Sequence, residues 1–170
     1  MDENAKRIAE GLLKAIKAEN DGYHFYSMSA KNIHDERGRE IFETLAKEEQ
    51  DHHRFLKAQY KAVVETGQPD ENVRLGDRLD LSGPNPIFSG WVQKNIAQAG
   101  PEMSALSIGI QLELSSMNFY REQAKAAGKG PIRDFYNQLA DWEQGHYHAL
   151  VQQEEALKED YWAAAGFVPF

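Results

Sequence analysis

The chain has no cysteine among its 170 residues. That absence excludes disulfides, Cys-ligated zinc, iron–sulfur clusters and four-cysteine iron sites, and it fits a reducing compartment. Long apolar runs are also missing. None reaches the roughly 18 residues that a membrane-spanning helix needs, so no membrane partner is expected. The opening residues, Met1 to Arg7, lack the apolar core of a signal peptide, and a cytoplasmic location is expected. Positive charge is scarce. Lys and Arg number 19 against 27 Asp and Glu, which gives a net charge of −8 and a pI near 5.2. Such a surface repels phosphate backbones, so nucleic acid is not an expected partner. The length suits one domain, 1–170, with a single sizeable core.

What the chain does have is an internal repeat. Glu19, Glu49 and His52 return as Glu113, Glu143 and His146, each at an offset of 94 (113−19, 143−49, 146−52). Leu12, Ile16, Phe25, Tyr26, Ala30, Lys31, Arg39, Leu45, Ala46, Gln50 and Leu56 recur at the same offset without a gap. That makes 14 identities over the 45 positions from 12 to 56, where average composition gives roughly three. Any two helical hairpins share Leu and Ala, but they do not share Glu and His at metal-ligand spacing. We read the repeat as a duplicated helical hairpin.

Four apolar stripes at spacings of three and four trace helix faces. They are Leu12, Ile16, Glu19, Tyr23, Tyr26, Ala30; then Phe42, Leu45, Glu49, His52, Leu56, Gln59, Val63; then Leu106, Ile110, Glu113, Met117, Tyr120, Ala124; then Tyr136, Leu139, Glu143, His146, Leu150. The six repeated acids and histidines all lie inside these stripes. Asp35 is placed to cap the second helix, and Pro101 and Pro131 suit the first turns of the third and fourth. The predicted fold is all-α: a four-helix bundle of two antiparallel hairpins, 3–66 and 101–160, with a tail at 161–170. The Gly- and Pro-rich stretch 67–100 is a long crossover, with a short helix expected from Ile87 to Ala97. Trp91, Ile96 and Ala97 are expected to cover the bundle.

From Glu19 to the turn near residue 34 is 15 residues (34−19), and from there to the midpoint of Glu49 and His52 is about 16. At about 1.5 Å rise per residue the ligands of both helices fall within a turn of each other. The second hairpin gives similar counts about a turn near residue 129. Residues at i and i+3 share a helix face, so each Glu-x-x-His offers a carboxylate and an imidazole to one side. Four carboxylates and two neutral imidazoles carry about −4, which is prohibitive to bury alone and is cancelled by two divalent cations. The mixed oxygen and nitrogen set suits iron or manganese, with zinc possible. A Glu from each of two helices plus a Glu-x-x-His from each of the other two is the pattern of di-metal carboxylate bundles. Tyr26 and Tyr120, seven residues past Glu19 and Glu113, are candidates to bond ligand carboxylates or carry electrons. Core aromatics with a polar handle would look the same. His24, His34, His53 and His148 lie off the stripes and read as surface residues.

At these residues, from about 9 to 162, the chain resembles the rubrerythrin-like branch of the ferritin-like family. The likeness rests on Ala18-Glu19, Leu45 through His52, Leu112-Glu113 with Phe119-Tyr120, Glu143 through His146, and Pro86-Ile87-Phe88-Ser89. The resemblance implies a di-iron site in which Glu49 and Glu143 bridge, Glu19 and Glu113 are terminal, and His52 and His146 bind one metal each. It implies an oxidoreductase that reduces peroxide or dioxygen with electrons from a separate donor protein, and we expect a homodimer. An iron-oxidising ferritin-like protein and a metal-free helical interaction module are the other classes compatible with the sequence. Two features depart from the family. The chain cannot carry a rubredoxin domain, and Ser116 stands where rubrerythrins place a further acid, which leaves the peroxide step tied to that acid unsupported.

Overall fold

The computed structural model describes residues 3–167. Its elements are α1 (Glu3–Asn32), α2 (Glu36–Thr66), the short α3 (Gly90–Lys94), a 3₁₀ turn at Ile96–Gln98, α4 (Gly100–Ala127) and α5 (Pro131–Ala164). No strand occurs among the described residues. Helices α1 and α2 form one hairpin, α4 and α5 the other, and the crossover joins them in a ferritin-like four-helix bundle.

The loops stop the helices where local chemistry requires. Asp35 caps α2 by accepting from the Gly38 N–H at 2.7 Å. Gly128 and Gly130, at φ of 71° and 140°, make the turn between α4 and α5 in backbone conformations closed to most residues. The direction of each helix follows from its end contacts. Glu102, at the start of α4, accepts from the backbone N–H groups of His34 (2.6 Å) and Asp35 (3.2 Å), just past the end of α1. Arg7 near the start of α1 donates to the Ala126 carbonyl near the end of α4, at 3.1 Å. Helices α1 and α4 are therefore antiparallel. Phe55 of α2 meets Phe135 at the start of α5, with ring centroids 5.9 Å apart, so these two are antiparallel as well.

The crossover climbs the seam between α2 and α5 and is fastened along its length. The side-chain amide of Gln59 donates to the Asp70 carbonyl and accepts from its N–H, both at 2.9 Å. The Leu79 N–H donates to Glu48, and Gln152 donates to the Gly83 carbonyl at 2.7 Å. Gln153 accepts from the N–H groups of Ile87 (3.0 Å) and Phe88 (2.9 Å). Phe88 lies so close to Gly38 that a β-carbon there would overlap its ring.

Two expectations need correction. The crossover helix is not Ile87–Ala97 but Gly90–Lys94 followed by a 3₁₀ turn. Ser89 sets the start, because its hydroxyl accepts from the Trp91 N–H while its own groups donate to Asp35. Ile87 and Phe88 precede the helix as buried anchors instead, and Ala97 is exposed rather than covering the bundle. The tail does not begin at 161. Helix α5 continues to Ala164, with Tyr161 packed on the core and Lys158 over the Trp162 ring at 5.5 Å.

The core is split in two. One cluster holds Tyr26, Phe42, Leu45, Ile87, Phe88 and Leu106. The other holds Leu12, Leu56, Tyr120, Phe135, Tyr136 and Leu139. The repeated acids and histidines form the layer between them. Burial of Gln153 makes it the main clasp on the upper crossover. Gln153→Leu strands two buried N–H groups and should lower stability by about 2 kcal/mol or more. Exposed Gln152→Leu should cost much less. Urea denaturation midpoints of the two variants check this.

Candidate metal centre

All six ligand candidates are buried: Glu19, Glu49, His52, Glu113, Glu143 and His146 are each at most 4% exposed. They converge on the bundle axis as two overlapping groups. One is Glu19, Glu49, His52 and Glu143. The other is Glu49, Glu113, Glu143 and His146. Within each group, one ligand atom per residue lies within 4.8 Å of the others. Glu49 and Glu143 belong to both. His52 Nδ1 is 3.1 Å from Glu19, 3.4 Å from Glu143 and 4.0 Å from Glu49. His146 Nδ1 is 3.5 Å from both Glu113 and Glu143. The helical i, i+3 spacing brings each imidazole beside its own helix's carboxylate, and the bundle adds Glu19 and Glu143 beside His52 and Glu113 beside His146.

Both tyrosines reach across the hairpins. Tyr26 of α1 donates to Glu113 of α4, and Tyr120 of α4 donates to Glu19 of α1. Burial, and then the charge of the carboxylate that each phenol bonds, pushes both hydroxyls well above the usual range, so they remain protonated donors.

The layer fits a pair of cations. Both oxygens of Glu143 and Nδ1 of His146 are buried, face the cluster and have no hydrogen-bond partner among the described residues. Buried polar atoms left so are rare, and positive charge among them would satisfy all three. The proton distribution points the same way. Burial, and then the charge of Glu19, raises Glu49 well above the carboxylate range. Burial and Glu143 push Glu113 up to about 8. His52 rises to about 10, because Glu19 and Glu143 outweigh the burial that opposes the charged ring. Against its own burial, Glu143 is held low by the imidazoles of His146 and His52 beside it. Without metal, protons occupy the places where cations would neutralise the site.

Two residues that the stripes did not reveal complete it. Glu48 is 4% exposed, and its carboxylate lies 2.7 Å from His146 Nε2. Trp142 packs its ring against His52, with centroids 4.9 Å apart. Glu48 lies one residue off its helix's apolar stripe and is buried because the crossover covers that flank. Its neighbour Glu49 carried the repeat, while its own counterpart at the 94-residue offset is Trp142 (48+94). No repeat signal marked it. The other four histidines stay outside the site; His24, His34 and His148 are exposed and His53 is half-buried.

The two sides of the layer differ. The crossover closes the α2–α5 side, whereas the α1–α4 side opens as a cleft of about 350 Å³ that reaches Tyr26, Glu49 and Glu113. Its walls include Gly22 and Ser116, which stand at matching positions in the two halves (116−22 is 94). A β-carbon at Gly22 would sit 3.2 Å from the Glu49 carboxyl carbon, so the residue keeps backbone close to a ligand.

Metal and stability should be coupled. A ligand at a hundredfold excess over its Kd stabilises the folded state by about 2.7 kcal/mol, so chelation should lower the melting temperature. The gain should grow with pH. Glu113 and Glu49 titrate above their unfolded values, so the stability they contribute is full below about pH 4.5 and is lost as pH rises, through about 8 for Glu113. His52 loses its share in the same direction, toward about 10. Bound cations remove that loss. Thermal melts in chelator and in Mn(II) at pH 5.5 and 8 should show the larger difference at pH 8. Glu49→Gln should melt no lower than the native protein in chelator and lose most of the metal gain. Equal melting of native protein with and without metal would remove the case for a metal centre.

Among known proteins, residues 10–75 match the family model for rubrerythrin. No curated protein and no solved structure matches the chain. The matched segment covers most of the first hairpin and enters the crossover, and it contains Glu19, Glu49 and His52. Glu113, Glu143 and His146 lie beyond it. The two overlapping Glu/His groups supply the other half, and together these findings are consistent with a ferritin-like di-metal protein.

Proposed function

We propose that the protein is a di-iron carboxylate oxidoreductase that reduces peroxide or dioxygen with electrons from a separate donor protein. The observation that carries this reading is the pair of four-residue ligand groups sharing Glu49 and Glu143. Two iron ions there would supply the electrons that an O–O bond takes up when it is cleaved. Glu49 and Glu143 would bridge, because they alone belong to both groups. Glu19 and Glu113 would be terminal ligands, each held in orientation by a phenol from the opposite hairpin. His52 and His146 would bind one ion each. The apolar clusters above and below exclude water, and the α1–α4 cleft admits a small oxidant toward Glu49 and Glu113. These 170 residues hold no cysteine for an iron–sulfur or rubredoxin-type relay, so the reading takes the electrons from outside the bundle.

Anaerobic loading with Fe(II) followed by elemental analysis should give two ions per chain, one for each ligand group. A plateau at zero or one overturns the dinuclear reading. Stopped-flow absorbance on mixing the loaded protein with peroxide or dioxygen should then show oxidation, and a reductase system should sustain turnover. Oxidation of added Fe(II) without reductase-driven turnover would make this an iron-oxidising protein. Loading without oxidation by either reagent would refute the redox role.

The cleft makes a second expectation. Ser116 is half-buried on its wall, one helical turn from Glu113. Ser116→Glu should change peroxide turnover severalfold while moving the melting temperature by no more than the about 2–4 °C that 1 kcal/mol produces in a domain of this size. Unchanged turnover and an unchanged iron absorption spectrum would show that position 116 does not reach the metals.

A further inference from the structure

The repeat pairs the two histidines, but their surroundings are not a pair. His146 turns Nδ1 toward Glu113 and Glu143 and points Nε2 at the Glu48 carboxylate, 2.7 Å away. His52 turns Nδ1 toward Glu19 and Glu143, but its Nε2 is buried with no hydrogen-bond partner among the described residues. Trp142, which occupies the position equivalent to Glu48, packs on that ring. We propose that the two metal positions are unequal, that the one built on His146 binds its ion more tightly, and that Glu48 is the positioning residue responsible. The proposal rests on the metal-centre reading above.

Three effects of Glu48 act together. Its carboxylate accepts from Nε2–H, which fixes the tautomer that leaves Nδ1 free for a cation. It makes the imidazole a stronger donor, as carboxylate partners of metal-bound histidines do. It also adds a buried negative charge beside one ligand group only. Glu48 is itself held: its other oxygen accepts from the Leu79 N–H of the crossover. Arg78, the residue before, lies across Gly145 and donates to the Asp141 carbonyl at 3.5 Å. The crossover therefore secures one histidine through Glu48 and leaves the other without such a tie.

The test is a calorimetric titration of metal-stripped protein with Co(II) under anaerobic conditions. Charge repulsion alone weakens any second ion, so the assignment comes from variants. His52→Ala should retain the tight step, and His146→Ala should lose it; two equal positions would give the same isotherm for both. Glu48→Gln should weaken the tight step by about 10–100-fold, the usual effect of an outer partner on metal affinity, and leave the weak one nearly unchanged. A readout that needs no variant is hydrogen exchange on the native protein. The Leu79 amide should slow with the first equivalent of Co(II) and change little with the second. Matching isotherms for the two histidine variants, an unaltered tight step in Glu48→Gln, or a Leu79 amide indifferent to metal would each overturn the inequality. Failure of native protein to bind Co(II) at all would overturn the metal centre as well, so the two failures are distinct.

Discussion

Excess negative charge buried on the bundle axis is the constraint around which this structure is organised. Four carboxylates converge between two apolar clusters, and a fifth, Glu48, stands behind His146. Apolar residues of similar size would pack there at less cost. The arrangement persists only if something positive shares the layer, either protons or metal ions. Both tyrosines, both histidines and the unpartnered atoms of Glu143 make sense against that requirement.

The rest of the fold distributes access to this layer. Gln59, Glu48, Gln152 and Gln153 pin the crossover along one seam of the bundle. Among the described residues the opposite seam has no such cover, and small residues at 22 and 116 leave a cleft to the ligands. One side is thus given to holding the histidines in place, and the other to small molecules.

Much of this was legible in the sequence, because helical periodicity and ligand spacing are both local. The stripe Phe42, Leu45, Glu49, His52, Leu56, Gln59, Val63 is buried along its whole length, as is the stripe from Leu106 to Ala124. The six acids and histidines do come together. What escaped depends on contacts remote in sequence. Glu48 is buried by a crossover whose path no periodicity encodes, and Gln153 is buried because two N–H groups of that crossover need an acceptor. The crossover helix was misplaced for a related reason. Trp91, Ile96 and Ala97 pointed to a helix from Ile87 onward, but the N–H groups of Ile87 and Phe88 are taken by Gln153, and Ser89 starts the turn later.

The reciprocal phenols have a consequence for how such a chain arises. Tyr26 serves a carboxylate of the second hairpin, and Tyr120 one of the first. A lone hairpin of this design holds half a ligand set and a tyrosine with nothing to bond. Its site would exist only where two separate copies met, and would dissolve on dilution. Joining the copies through the crossover turns that encounter into an event within one molecule, at a fixed effective concentration. It also releases the copies from having to be identical, and one half could then acquire Glu48 while the other acquired Trp142.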